Sequence, residues 1–290
     1  MSYLLHVVTT AGIFGMLALS LDLLVGWAGM MSLASGVFFG VGAYTTALMV
    51  KGGVPPLMAM ALGMACATVL SLVVALPAIR VRGIYLLIVT IAVQVIFTIV
   101  LQNWRSVTGG DAGVTNVPPL SVLGTRVHGT SLTVLVWLSC LAWWWLLHRL
   151  VLSPFGQVLQ AVRDDEVGAA SLGKNVTATK LAAFGLSSAI AAYAGSLYAH
   201  YSAYVDPMSF DVGVSIVALL MVMLGGAGTL KGPLLGAVVL TALPEVLKFV
   251  PLPAGAAAAL RQLSYGALLV LVVFFRPQGL LGRAPSRQAH

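Results

Sequence analysis

The chain has 290 residues, 60% of them hydrophobic and only 8% charged, with mean hydropathy +1.02. So few charges cannot solvate the surface of a water-soluble domain of this length, which excludes a soluble enzyme and leaves a polytopic membrane protein. The formal charge of +7 would suggest nucleic acid in a soluble protein, but the basic residues stand mainly at span ends, where anionic lipid and membrane topology account for them.

Spanning backbone must satisfy its own hydrogen bonds, and apolar runs of about 20 residues favour helices over the alternating pattern of a barrel. Hydropathy predicts helices over 4–26, 33–50, 57–78, 84–102, 131–150, 180–203, 212–224, 234–250 and 262–275. The run 4–26 lacks a basic leader and a small-residue cleavage site, so it reads as a first span and not as a signal peptide. The short or glycine-broken runs 33–50 and 212–224 are candidates for bent or re-entrant helices. The fold class is all-α, a transmembrane helical bundle of about nine spans, within a range of about 8–10. Cys66 and Cys140 fall inside apolar runs and read as packing residues.

Threading nine spans puts Arg80 and Arg82, the 149–180 segment, and the tail with Arg276, Arg283 and Arg287 on one side. That side holds most of the Lys and Arg and is assigned to the cytoplasm, with the C-terminus inside and the N-terminus outside. Gly26-x-x-Gly29 followed by Gly36-x-x-x-Gly40 is echoed by Gly225-x-x-Gly228 followed by Gly232-x-x-x-Gly236. The echo hints at a duplicated architecture, with close helix packing as the plainer account of each glycine.

The most polar stretch is 153–180 (SPFGQVLQAVRDDEVGAASLGKNVTATK). Arg163, Asp164, Asp165, Glu166, Lys174 and Lys180 place six charges in 18 residues of an otherwise apolar chain. Residues 163–173 (RDDEVGAASLG) predict a short helix, with Asp164, Asp165 and Glu166 suited to its N-terminus and Gly173 to a C′ position of positive φ. Such a helix, tied at both ends to membrane helices, can transmit a push; a solvated loop is the alternative. Gly168-x-x-x-x-Gly173-Lys174 nearly spells a phosphate-binding loop, but Asn175 stands where the magnesium-binding hydroxyl belongs and no buried strand precedes it.

Asp22 lies within a span, where a charge costs roughly 3 kcal/mol at the bilayer centre, so it faces either a pathway or hydrogen-bonding partners near the Gly26–Gly29 break. Gln94 and Gln102 likewise either line a path or join helices, and Glu245 and Lys248 can neutralise each other. Thr108, Gly109 and Gly110 open a glycine-rich turn (TGGDAG) that could hold a carboxylate on backbone N–H groups or serve as a plain loop. Ser187 in GLSSA and His200 lie 13 residues apart on one helix, about 20 Å, too far to pair as a hydrolase.

In order and spacing, residues 21–44 (LDLLVGWAGMMSLASGVFFGVGAY), 82–92 (RGIYLLIVTIA), 108–113 (TGGDAG), 153–199, 206–210 (DPMSF) and 224–244 (LGGAGTLKGPLLGAVVLTALP) together resemble the integral-membrane permease subunits of bacterial ABC importers for branched-chain amino acids. The resemblance implies one transmembrane permease domain over 1–290, with a cytosolic coupling loop at 151–180, in the bacterial inner membrane. It implies no catalytic residue and no cofactor in this chain. ATP would be used by cytosolic ATPase subunits, beside a second, non-identical permease subunit and an extracytoplasmic binding protein that delivers substrate. Arg163, Asp164 and Asp165 would enter the coupling loop, and Glu166, Ala169, Ala170 and Gly173 would form the coupling helix. Importers of urea or short amides are the same-class alternative, and a stand-alone secondary transporter or channel is the alternative from another class. The chain departs from the family pattern by starting at Met1-Ser2-Tyr3, without the extra apolar segment many relatives carry. It departs again at Asp22, where relatives usually have Asn.

Overall fold

The computed structural model describes residues 2–78, 84–122, 125–127, 129–247, 266 and 279–282. Helix α1 (Ser2–Asp22) continues into one π-helical turn, Leu23–Trp27, and an open segment, 28–34, leads to α2 (Ser35–Lys51). Helices α3 (Pro56–Ala78) and α4 (Ile84–Asn103) follow. A single turn, α5 (Arg105–Thr108), a 3₁₀ turn (Gly110–Ala112) and strands β1 (Val114–Thr115), β2 (Ser121–Val122) and β3 (Thr125–Arg126) make up the next connection. Helix α6 (Thr130–Leu152) leads to the polar segment, which folds as α7 (Pro154–Asp164) and α8 (Glu166–Ser171). Helix α9 (Val176–Ser202), strand β4 (Tyr204–Val205), a 3₁₀ turn (Pro207–Phe210), α10 (Val212–Gly225) and α11 (Lys231–Leu247) complete the bundle.

Among the described residues, five helical stretches are long and apolar enough to cross a bilayer: Leu4–Trp27, Pro56–Leu76, Tyr85–Asn103, Thr130–Leu152 and Val176–Ser202. Helices α2 and α10 have 17 and 14 residues. At 1.5 Å per residue they extend roughly 21–26 Å, less than the ~30 Å of a hydrocarbon core. Of the nine predicted spans, eight correspond to described helices: five of full length, two short, and α11, of which the part up to Leu247 is described. The predicted helix 262–275 apart from Gly266, the loop with Arg80 and Arg82, the tail arginines and the Glu245–Lys248 pairing lie outside the described residues. The described residues are nearly all helical, as expected; β1 pairs antiparallel with β4 (Val114↔Val205) and β2 with β3 (Ser121↔Arg126), as two-residue ribbons in the connections.

The connections gather at two ends of the bundle. At one end Arg163 reaches Gly26, Asp22 reaches Gly228, and Leu280 and Leu281 donate to the carbonyls of Leu224 and Gly225. At the other, β1 meets β4, Lys51 Nζ donates to the Thr115 carbonyl, and Thr9 bonds Thr133 at 2.6 Å.

The core forms where α2 crosses α9, with α3 against both. In lipid, helices associate by close packing and hydrogen bonds and not by hydrophobic transfer, so small residues collect at crossings. A methyl on Gly42 would overlap the Ala192 carbonyl, and one on Gly195 the Phe39 carbonyl. Thr46 Oγ1 donates to Ser196 Oγ at 2.8 Å beside this contact. Phe39 then packs on Tyr198 and Phe210, with ring centroids 5.5 and 5.4 Å apart.

Candidate functional site

The 153–175 connection folds because its local signals agree. Ser153 is extended, Pro154 opens α7, and Gly156, Leu159 and Val162 bury one face of it. Helix α7 ends at Asp164, and Asp165 leaves helical geometry to cap α8, its Oδ1 accepting the N–H groups of Val167 and Gly168 at 3.0 Å each. This is the cap position at which a carboxylate satisfies orphan donors and favours the positive end of a helix. The helix expected over 163–173 therefore starts only at Glu166, with Arg163 and Asp164 ending α7 and Asp165 interrupting the helical backbone between the two. Past α8, Gly173 takes φ +75, and its N–H donates to the Ala170 carbonyl. Ala169 faces inward, whereas Val167 and Leu172 are 66% and 80% exposed. Glu166 Oε1 pairs at 2.9 Å with Lys180 Nζ, whose stem is buried in α9. Gly168 inside α8 and Gly173 after it reverse the loop-then-helix order of a phosphate cradle.

Arg163 leaves the segment. Its Nε donates to Asp164 Oδ1 at 2.9 Å, and its Nη1 donates to the Gly26 carbonyl at 2.8 Å. Asp22, in the turn before, is fully buried; Oδ1 accepts the Gly228 N–H at 2.7 Å and Oδ2 the Leu230 N–H at 3.3 Å. Asp22 thus has hydrogen-bonding partners near the Gly26–Gly29 break. Its donors come from the 226–230 turn, so the two halves of the glycine echo meet in space. A methyl on Gly26 would overlap the Gly228 nitrogen. The structure thus brings Asp22 and Arg163, 141 residues apart by number (163 − 22), to two sides of one glycine.

Gln94 lies elsewhere, halfway along α4. Its Nε2 donates to the Phe210 carbonyl at 2.6 Å, and its Oε1 accepts from Ser215 Oγ at 3.2 Å. Ser215 in turn accepts the Gly36 N–H at 2.8 Å, an amide of the first turn of α2. Gln94 so joins α4 to the starts of two short helices, supplying partners for backbone that would otherwise be unsatisfied in hydrocarbon.

Thr108, Gly109 and Gly110 sit together at the opposite end from Arg163. Thr108 Oγ1 donates to the Leu101 carbonyl at 2.6 Å and accepts the Gly110 N–H at 3.2 Å. The Gly109 and Gly113 amides donate to the Arg105 and Gly110 carbonyls. These N–H groups have partners within the turn. Ser187 donates to the Ser20 carbonyl, and His200 Nδ1 stands 2.9 Å from the Pro118 carbonyl, so the two point to separate partners. Among the described residues no group of three or more His, Cys, Asp or Glu could hold a metal ion.

A bundle of helices long and apolar enough to cross a bilayer has the make-up of a polytopic membrane protein. Residues 3–273 match the family described as branched-chain amino acid transport system / permease component, and the chain belongs to that family. It is 31% identical over 300 residues to the high-affinity branched-chain amino acid transport system permease protein LivM of Salmonella typhimurium, covering 95% of this chain and 69% of that one. The LivM protein of Escherichia coli K12 is 30% identical with the same coverage. The autoinducer 2 import system permease protein LsrC of Klebsiella pneumoniae is 38% identical over 120 residues, 39% of this chain and 34% of that protein. No solved structure matches the chain.

Proposed function

We propose that the chain is a membrane-spanning subunit of an ATP-driven importer of branched-chain amino acids, worked through the α7–α8 segment by ATPase subunits on the cytosolic face. A second permease subunit completes the pathway, and an extracytoplasmic binding protein delivers the substrate. The family membership carries this reading, with two LivM relatives near 30% identity over 95% of the chain. The end that carries Arg149, Arg163, Lys174, Lys180 and Lys231 is the cytosolic one by the excess of basic residues, and nine spans put the C-terminus there. Exposed Val167 and Leu172 beside charged Asp164 and Asp165 give α8 the mixed surface that a docking partner buries.

Two substitutions on that surface test the reading. Glu166→Lys removes the ion pair with Lys180 and reverses the charge, and Gly173→Trp puts a bulky residue at positive φ. Both variants should insert in the membrane at wild-type level yet co-purify with little ATPase and lose uptake of radiolabelled leucine. ATP-dependent uptake at the wild-type rate by both variants would refute the docking role. Leucine-independent uptake of amides by the same complex would move the substrate assignment.

A further inference from the structure

Besides the buried face of α7, two polar contacts tie the α7–α8 segment to the bundle, and they differ in kind. The Glu166–Lys180 ion pair ties α8 to α9, the element that follows it in the chain. Arg163 instead crosses to α1, far away in sequence, and grips the backbone there. We propose that Arg163 is a positioning residue that transmits movement of the α7–α8 segment to the two glycine breaks of the bundle through the Gly26 carbonyl. The proposal rests on the reading that an ATPase drives this segment.

The geometry supplies each link. The Arg163 guanidinium is a planar fork, fixed by Asp164 through Nε and free to bond in a set direction through Nη1. A charged donor makes this bond roughly twice as strong as a neutral one. The acceptor lies in the final turn of a helical run, where carbonyls lack onward amide donors and stay open to outside groups. The methylene stem of Arg163 runs along Gly29, which stands at φ +67; a methyl there would lie 2.5 Å from Arg163 Cγ.

Behind Gly26 there is no slack. Its α-carbon abuts the Gly228 backbone without room for a methyl, and Asp22 holds the Gly228 and Leu230 amides. Those amides belong to the turn between α10 and α11. A displacement of α7 therefore reaches the end of α1, and through it the turn between α10 and α11, by way of the Arg163 side chain. Packed interfaces of this kind shift between discrete arrangements and do not bend continuously.

The test uses the complete transporter in proteoliposomes and reads leucine moved per ATP hydrolysed. Arg163→Gln removes the charged fork, and Gly29→Ala displaces the stem while leaving every charge in place. Each should keep wild-type ATPase content while transport per ATP falls about tenfold, within the usual range of a coupling between sites; Gly29→Ala also puts a side chain at φ +67 and should lower the melting temperature. The double variant should be no worse than either single, because both act on one joint. Arg163→Lys keeps the charge without the fork and should recover part of the ratio. An unchanged ratio in both single variants overturns the proposal. So does a loss of uptake that follows lost ATPase content, which would make Arg163 a docking contact. If the wild-type chain retains no ATPase at all, the underlying reading fails first, and that is seen before any variant is made.

Discussion

Asp22 shows how a single carboxylate earns a place in a nearly uncharged bundle. Both of its oxygens accept backbone N–H groups from the 226–230 turn, and an amide side chain can offer only one such oxygen. Asp22→Asn should therefore keep the Gly228 bond, lose the Leu230 bond, and lower stability by about 1–3 kcal/mol, the cost of one buried donor left unmatched. Asp22→Leu should lose both and cost more. Melting curves in detergent check both values, and Asp22→Asn should still support uptake when assembled. That an acid inside 4–26 needed partners was legible in the sequence, because hydrocarbon offers none. Which partners it has was not, since the donors lie more than 200 positions away and are backbone atoms carrying no residue signature.

At the scale of elements, the boundaries followed hydropathy closely but failed where polar caps extend a helix. Helix α9 begins at Val176 and not at 180, because Asn175 Oδ1 caps it by accepting the Ala178 N–H and the following threonines and Lys180 hide the start. Asp165 splits the predicted 163–173 helix by the same chemistry, with three consecutive acids leaving the cap position open until the backbone chooses one. The shortness of α2 and α10 was visible as glycine-broken runs, whereas the Gln94–Ser215–Gly36 junction that completes them was not. The α2–α9 crossing gives a sharp expectation. Gly195→Leu should abolish folded protein, because any side chain there meets the Phe39 carbonyl, while Gly185→Ala, whose nearest neighbour would be Thr68 Cγ2 at 3.4 Å, should cost little. Yield and monodispersity on size exclusion separate the two outcomes.

For the whole molecule, the alternation of chain direction explains why residues distant in sequence share an end. With the native Cys66 and Cys140 replaced by alanine, a cysteine at Leu172 should react with an impermeant maleimide only in inside-out vesicles, and one at Met208 only in right-side-out cells. Both positions are well exposed, at 80% and 74%, so labelling reports sidedness and not burial. Reaction of both from the same face would overturn the threading. The stretch around 280 carries a practical lesson. By donating to the Leu224 and Gly225 carbonyls, Leu280 and Leu281 anchor the chain's far portion next to the turn that Asp22 holds. A fluorescent reporter fused directly after Gly282 would hang beside the face where the motor is expected to bind and would compete with it. One fused ahead of Ser2 would emerge from the opposite pole, and expression screens should put their label there.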